Sequence, residues 1–222
     1  MSATYRFHLF VSTLTVTIMF SVFVYILPRF GPINDLNHLY KLIIGFLGSV
    51  GTYKALTSGL LGLFDKFIFL RKRILGSQYI EGTWIGCYIN PAGQKRFTIE
   101  YFEQTLDRVI IRGQAFTESG EPYGQWLSRA VTVDAEQGAL IYAYDCDIHS
   151  SNTSFQGIAI FHFERENIRK PPTILNGFSA DLVDGVRSAN REYKISDTRI
   201  DMQEAFKKAK GRFASYGRTA LP

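Results

Sequence analysis

The residues best suited to chemistry in this 222-residue chain are aromatic rings and guanidinium groups. Trp84, Tyr88, Trp126, Tyr142 and Tyr144 offer flat faces, and Arg108, Arg112, Arg129, Arg187 and Arg191 offer forked donors. Arg191-x-Tyr193 sets two anion-directed donors on one side of a strand. Rings stack on flat bases, and Arg meets phosphate through paired hydrogen bonds, so the set suits a ligand that combines bases with phosphates. Common catalytic and cofactor-binding signatures are missing from the sequence: there is no Gly-x-Ser-x-Gly elbow, no P-loop, no Gly-x-Gly-x-x-Gly before a helix and no Cys-x-x-Cys. Asp145-Cys146-Asp147-Ile148-His149 holds metal-capable side chains, but strand alternation divides them between two faces. The expectation is a binding protein without enzymatic activity, cofactor or metal.

The elements that must carry these residues are strands. From residue 80 onward, alternating runs at about 80–90, 95–104, 107–118, 124–134, 138–148, 153–165, 173–183 and 188–196 are separated by turn residues. Among the turns are Asn90-Pro91-Ala92-Gly93, Ser150-Ser151-Asn152 and Asp184-Gly185. Short connections favour antiparallel neighbours, and eight strands suit an up-and-down barrel that leaves no free edge and holds one small ligand. An open two-sheet sandwich is the competing arrangement. Strand parity leaves open which of the aromatic and Arg residues point inward. Residues 199–213 return to helical spacing, with Ser196 or Asp197 as N-cap and Ile200, Met202, Ala205, Phe206, Ala209 and Phe213 on one face; this helix plugs or flanks the barrel.

The first third differs in composition. Residues 1–76 hold 8 of the 25 basic residues and 2 of the 20 acidic ones, so the net charge of +5 belongs to this part. That distribution points to membrane topology and away from a long nucleic acid as partner. Phe7–Leu27 carries no Asp, Glu, Lys or Arg and is long enough to span a bilayer. A second span is expected over residues 39–64, where Gly45, Gly48, Thr52, Ala55, Gly59 and Gly62 recur in steps of four and three. Such a stripe admits a close helix neighbour, either the first span or another protomer. Lys66, Arg71, Lys72 and Arg73 after the second span and Arg6 before the first put both termini in the cytoplasm, with the loop near Asp35 outside. The domains are thus a helical hairpin over 1–75 and a cytosolic barrel with its closing helix over 76–222. Cys87 and Cys146, both in predicted strands, read as reduced core thiols.

Two resemblances follow. Gly82-x-Trp84-x-Gly86 resembles the first-strand Gly-x-Trp of lipocalin and avidin-like barrels, and Arg191-x-Tyr193 resembles the carboxylate clamp of fatty-acid-binding barrels. Over nearly the whole chain, two spans, a basic juxtamembrane cluster and a cytosolic eight-strand barrel resemble the two-transmembrane β-barrel effectors of cyclic-oligonucleotide-based antiphage signalling in bacteria. That resemblance implies a barrel that binds a cyclic dinucleotide made by a cognate nucleotidyltransferase, a homo-oligomer, and disruption of inner-membrane lipid that kills the infected cell. It transfers no site residue. The alternative is a membrane-tethered barrel for a lipid or other apolar ligand.

Overall fold

The computed structural model describes residues 3–29, 38–90, 92–149, 153–183 and 185–214. Pro91, Ser150-Ser151-Asn152, Asp184 and the loop over 30–37 that contains Asp35 lie outside the described residues. The chain separates into two units, Met1–Ile74 and Leu75–Pro222.

In the first unit, α1 (Ala3–Ser21) continues through a wider turn over Val22–Ile26 and ends in a tight turn at Leu27–Arg29, where a proline stops the helix. Thr4–Ile26 is the helical stretch among the described residues that is long and apolar enough to cross a membrane. Four of its hydroxyls are satisfied within the helix: Thr13, Thr15, Thr17 and Ser21 each donate to the carbonyl four residues back. The expected second span is a helix, α2 (His38–Lys66), but it does not meet the same measure. Its glycines, Ser49, Thr52, Tyr53 and Lys54 dilute the aliphatic residues that a span requires. A short helix, α3 (Ile68–Leu75), follows.

α1 and α2 run in opposite directions along their contact. A Cβ on Gly45 would lie 2.6 Å from Cζ of Phe23, and one on Gly48 would lie 3.2 Å from Cε of Met19. Thr52 Oγ1 is 3.5 Å from Met19 Sδ, and His8 Nδ1 is 2.8 Å from the Tyr53 hydroxyl. The small-residue stripe is therefore divided. Its first half seats α1, whereas a Cβ at Gly59 or Gly62 would meet nothing within 4 Å.

The second unit is a closed barrel in sequential order, β1 (Gly82–Ile89), β2 (Lys95–Gln104), β3 (Val109–Phe116), β4 (Pro122–Asp134), β5 (Ala139–Ile148), β6 (Thr153–Glu164), β7 (Ile174–Asp181) and β8 (Arg187–Ser196). Every neighbouring pair is antiparallel, and β1 closes onto β8. Hairpin connections build such a sheet, and closure removes both edges. An irregularity around Arg129 in β4 shifts the parity, so Trp126 and Val131 both belong to the inner core.

The last helix, α4 (Met202–Arg212), flanks the barrel rather than plugging it. Its N-cap is Asp201, whose carboxylate accepts from the amides of Gln203 and Glu204; Ser196 and Asp197 lie before the cap. Ala205 and Ala209 allow close approach to the outer face of β1 and β2, where they pack with Ile85, Cys87, Phe97, Ile99 and Tyr101. Phe206 meets the rings of Phe97 and Phe116, and Phe213 meets Tyr193. β1 is consequently buried on both faces, one inside the barrel and one under the helix.

Candidate functional site: an aromatic cavity in the barrel

One end of the barrel is sealed by the chain that enters it. Tyr79 and Ile80 are fully buried; Ile80 N donates to Gln104 Oε1 at 2.8 Å, and Gln104 Nε2 donates to Gln78 O at 2.8 Å. Trp84 stacks on Phe102 at 5.4 Å between ring centroids and donates its indole N–H to Ile80 O. Lys194, paired with Asp197 at 2.9 Å, places its ammonium 4.1 Å from the Tyr79 ring centroid. Gly82 starts β1 at φ +133°, where a Cβ would stand 2.0 Å from Ser196 O, so only glycine fits there.

Beyond that plug the interior holds a cavity of about 250 Å³. Its walls are Tyr88, Trp126, Tyr142, Tyr144, Phe155 and Phe161; Asn90, Tyr123 and Asp181 line it as well. Glycines on adjacent strands let two rings lie flat against the wall. Gly113 is the cross-strand partner of Trp126 and Gly157 that of Tyr144. A Cβ at Gly113 would lie 1.9 Å from Trp126 Cε2, and one at Gly157 would lie 2.3 Å from Tyr144 Cζ. With the rings folded onto backbone, the centre stays open.

The polar part of the lining comes from β2 and β8. Glu100 Oε1 accepts from Trp126 Nε1 at 3.0 Å and from the Tyr142 hydroxyl at 3.1 Å. Glu192, beside it and fully buried, accepts from Asn190 Nδ2 at 2.9 Å. Burial pushes the Glu100 carboxyl up to about 7, and burial together with the charge of Glu100 holds Glu192 well above the carboxylate range. Two adjoining carboxyls in this setting carry at most one charge near neutral pH. The two carboxyls hydrogen-bond to each other through the proton they retain, while Asn190 Oδ1 and Thr98 Oγ1 are buried without a hydrogen-bond partner. On β2 closer to its β1 turn, Arg96 lies 4.4 Å from the Tyr123 ring centroid and donates to Gln94, while its buried Nε has no partner.

The expected aromatic residues converge: Trp126, Tyr88, Tyr142 and Tyr144 line the cavity, and Trp84 belongs to the plug below it. The expected cations do not join them. Arg112 pairs with Glu103 at 3.3 Å, Arg191 with Glu164 at 2.8 Å, and Arg129 with Asp145, all on the outer face. Arg187 lies over the Phe178 ring, Arg108 is exposed in the β2–β3 turn, and Tyr193 packs against α4. Arg191 and Tyr193 share one face, as their spacing requires, but it is the outer one. Glu100, Glu192, Asn190 and Thr98 are the residues that sequence reasoning missed.

Cys87 and Cys146 are buried free thiols that desolvation pushes up to about 11 and about 12, so both stay protonated. Among the described residues no cluster of three His, Cys, Asp or Glu is placed to hold a metal ion.

No protein-family model and no curated protein matches the chain. Among solved structures, a redesigned β-barrel, mFAP1, bound to DFHBI, aligns at a TM-score of 0.38 and 17% identity, covering 54% of this chain and 98% of the other.

Proposed function

We propose that the chain is a membrane-anchored receptor and effector of bacterial antiphage defence, in which the barrel takes one base of a cyclic dinucleotide and ligand-driven association of chains disrupts the inner membrane. The observation that carries this reading is the cavity, with aromatic walls for stacking and buried polar atoms without partners at its end. At about 250 Å³ it is smaller than the ~300–1,000 Å³ pockets that enclose whole drug-sized ligands, so one base enters and the phosphate ring stays at the rim. There Arg96, whose guanidinium lies over the ring of the cavity residue Tyr123, supplies the cation for phosphate.

The anchor is Thr4–Ile26 with α2 laid against it, both termini cytoplasmic. Exposed Leu42, Ile43, Phe46, Leu47 and Val50 on α2 support its contact with lipid as a second span. Ligand shifts the chain toward assembly only by binding the assembled state more tightly. The open half of the stripe, Ala55, Gly59 and Gly62, is the surface on which protomers then pack, because Gly45 and Gly48 are already occupied by α1.

The competing lipid-binding reading is disfavoured by Asn190 Oδ1 and Thr98 Oγ1, buried polar atoms at the cavity end that an apolar tail leaves without partners. The test is the full chain in phosphatidylethanolamine/phosphatidylglycerol vesicles loaded with dye. A cyclic dinucleotide is expected to raise the melting temperature and release the dye, and Gly59→Leu to keep the melting shift and abolish release. A melting shift with oleate and none with any cyclic dinucleotide overturns the proposal in favour of a lipid-binding barrel.

A further inference from the structure

The inner end of the cavity is built on two acids. Glu100 on β2 and Glu192 on β8 stand on the strands either side of β1, and both are fully buried. Gly86 lies between them on β1, where a Cβ would be 2.9 Å from Glu192 Cγ, so glycine lets Glu192 reach across the strand to Glu100. The two carboxyls hydrogen-bond to each other. Ionised carboxylates only accept, so that bond requires a proton on one of them.

The remaining contacts place the charge. Glu100 Oε1 accepts from Trp126 Nε1 and from the Tyr142 hydroxyl, whereas Glu192 accepts from Asn190 Nδ2. Glu100 is thus the better supported carboxylate, and Glu192 the acid that keeps the proton.

Nothing that faces the pair cancels its charge. Tyr88 on β1 and Tyr142, Tyr144 and Cys146 on β5 are pushed up by burial and stay neutral. β3 and β6 bring Ala115, Phe155 and Phe161, β4 brings Tyr123 and Trp126, and β7 brings the acidic Asp181. Lys194, two residues further along β8, pairs with Asp197 in the plug, and Arg96 lies over the Tyr123 ring. His149 is exposed at the mouth, where its amide bonds to Tyr123 O.

We propose that the Glu100–Glu192 pair couples ligand entry to proton uptake: an anionic ligand enters as the pair takes a second proton from solvent, so that pH sets the affinity of the cavity. The inference rests on the cyclic-dinucleotide reading above and adds its regulation. Phosphodiesters stay ionised near neutral pH, and a negative charge brought into a low-dielectric cavity raises the cost of the charge already there. Protonation of Glu100 removes that charge and leaves the pair hydrogen-bonded, because two carboxylic acids still offer donors and acceptors to each other. Burial already lifts Glu100 to about 7, so the second proton exchanges near neutral pH. On release of the ligand the proton returns to solvent.

The test is calorimetry on the full chain in detergent micelles with cyclic di-GMP, cyclic di-AMP and cyclic GMP–AMP, near pH 6 and near pH 8. Each titration is run in two buffers of different ionisation enthalpy, so that the difference in heat counts protons. The ligand that binds is expected to do so about tenfold more tightly near pH 6 than near pH 8, with about one proton taken up near pH 8 and little near pH 6. Glu100→Gln/Glu192→Gln, a neutral copy of the fully protonated pair, is expected to bind alike at both pH values with no uptake. His149→Gln is expected to leave the uptake in place, which separates the pair from the imidazole at the mouth. Equal affinity at both pH values with no buffer-dependent heat, read on the unaltered chain, overturns the coupling and leaves the proposed function standing. Uptake that persists in the double variant or disappears in His149→Gln also overturns the coupling alone. Absence of binding by all three dinucleotides at both pH values overturns the coupling and the proposed function together.

Discussion

The inner and outer faces of the barrel wall carry the same kinds of residue and treat them oppositely. On the outer face, charge meets charge: Arg112 with Glu103, Arg191 with Glu164, Arg129 with Asp145. Aromatics there, such as Tyr193 and Phe116, are covered by α4. On the inner face the aromatics line open space, and Asn190 and Thr98 keep atoms without partners. Satisfied groups stabilise the chain itself, whereas buried unsatisfied ones are left for something that arrives. On the function proposed above, the contrast separates residues that hold the barrel from residues that would read a ligand.

The contrast can be broken at several points. The deepest inner residue should have the largest effect: Trp84→Ala, which empties the plug, is expected to cost about 3–5 kcal/mol in chemical denaturation. Gly113→Ala drives a methyl into the Trp126 ring and should cost about 1–3 kcal/mol, while also dislodging the donor that holds Glu100 and weakening ligand binding.

The Glu100 carboxyl is raised from an ordinary 4.5 to about 7 in the folded chain, so the folded state binds more protons than the unfolded one between those values. Its contribution to stability is complete below pH 4.5 and is lost as pH rises through 7, roughly 3 kcal/mol in all. Melting temperature against pH should fall through that window, and Glu100→Gln should flatten the fall. On the outer face, Arg112→Ala and Arg191→Ala are expected to change stability by about 0–1 kcal/mol and ligand affinity not at all. An outer Arg variant that abolishes binding would invert the assignment of the two faces.

Much of the fold is legible in the sequence because turn residues mark every strand connection except that between β2 and β3. β2 falls at the expected residues, and the other strands differ by a few positions at their ends. The cavity is less legible, and β2 shows why. Its sequence alternates Phe97, Ile99, Tyr101 with Arg96, Thr98, Glu100, and in a barrel with a bare outer surface the apolar set would face inward. Here α4 covers the outer face of β1 and β2, so the apolar set turns out to meet the helix and the polar set faces the cavity. β8 repeats the inversion, with Tyr193 and Ile195 toward the helix and Asn190 and Glu192 inside.

The signal that resolves it is α4 itself. An apolar helix face centred on Ala205, Ala209 and Phe213 requires an apolar strand face to sit on. For the first unit, spacing marks a row of small residues, of which Gly45 and Gly48 meet α1 while Gly59 and Gly62 meet nothing within 4 Å. It does not say that Gly45 and Gly48 serve α1, which depends on where Phe23 and Met19 reach.

The central claim is that a base enters the inner face, and the two tryptophans of the chain allow a direct test. In Trp84→Phe the remaining indole is Trp126, which lines the cavity and donates to Glu100. Titration of this variant with cyclic dinucleotides is predicted to quench Trp126 emission saturably for the one that binds, with a midpoint equal to the dissociation constant from calorimetry. Calorimetric binding with unchanged Trp126 emission would contradict the account and move the ligand to the outer face.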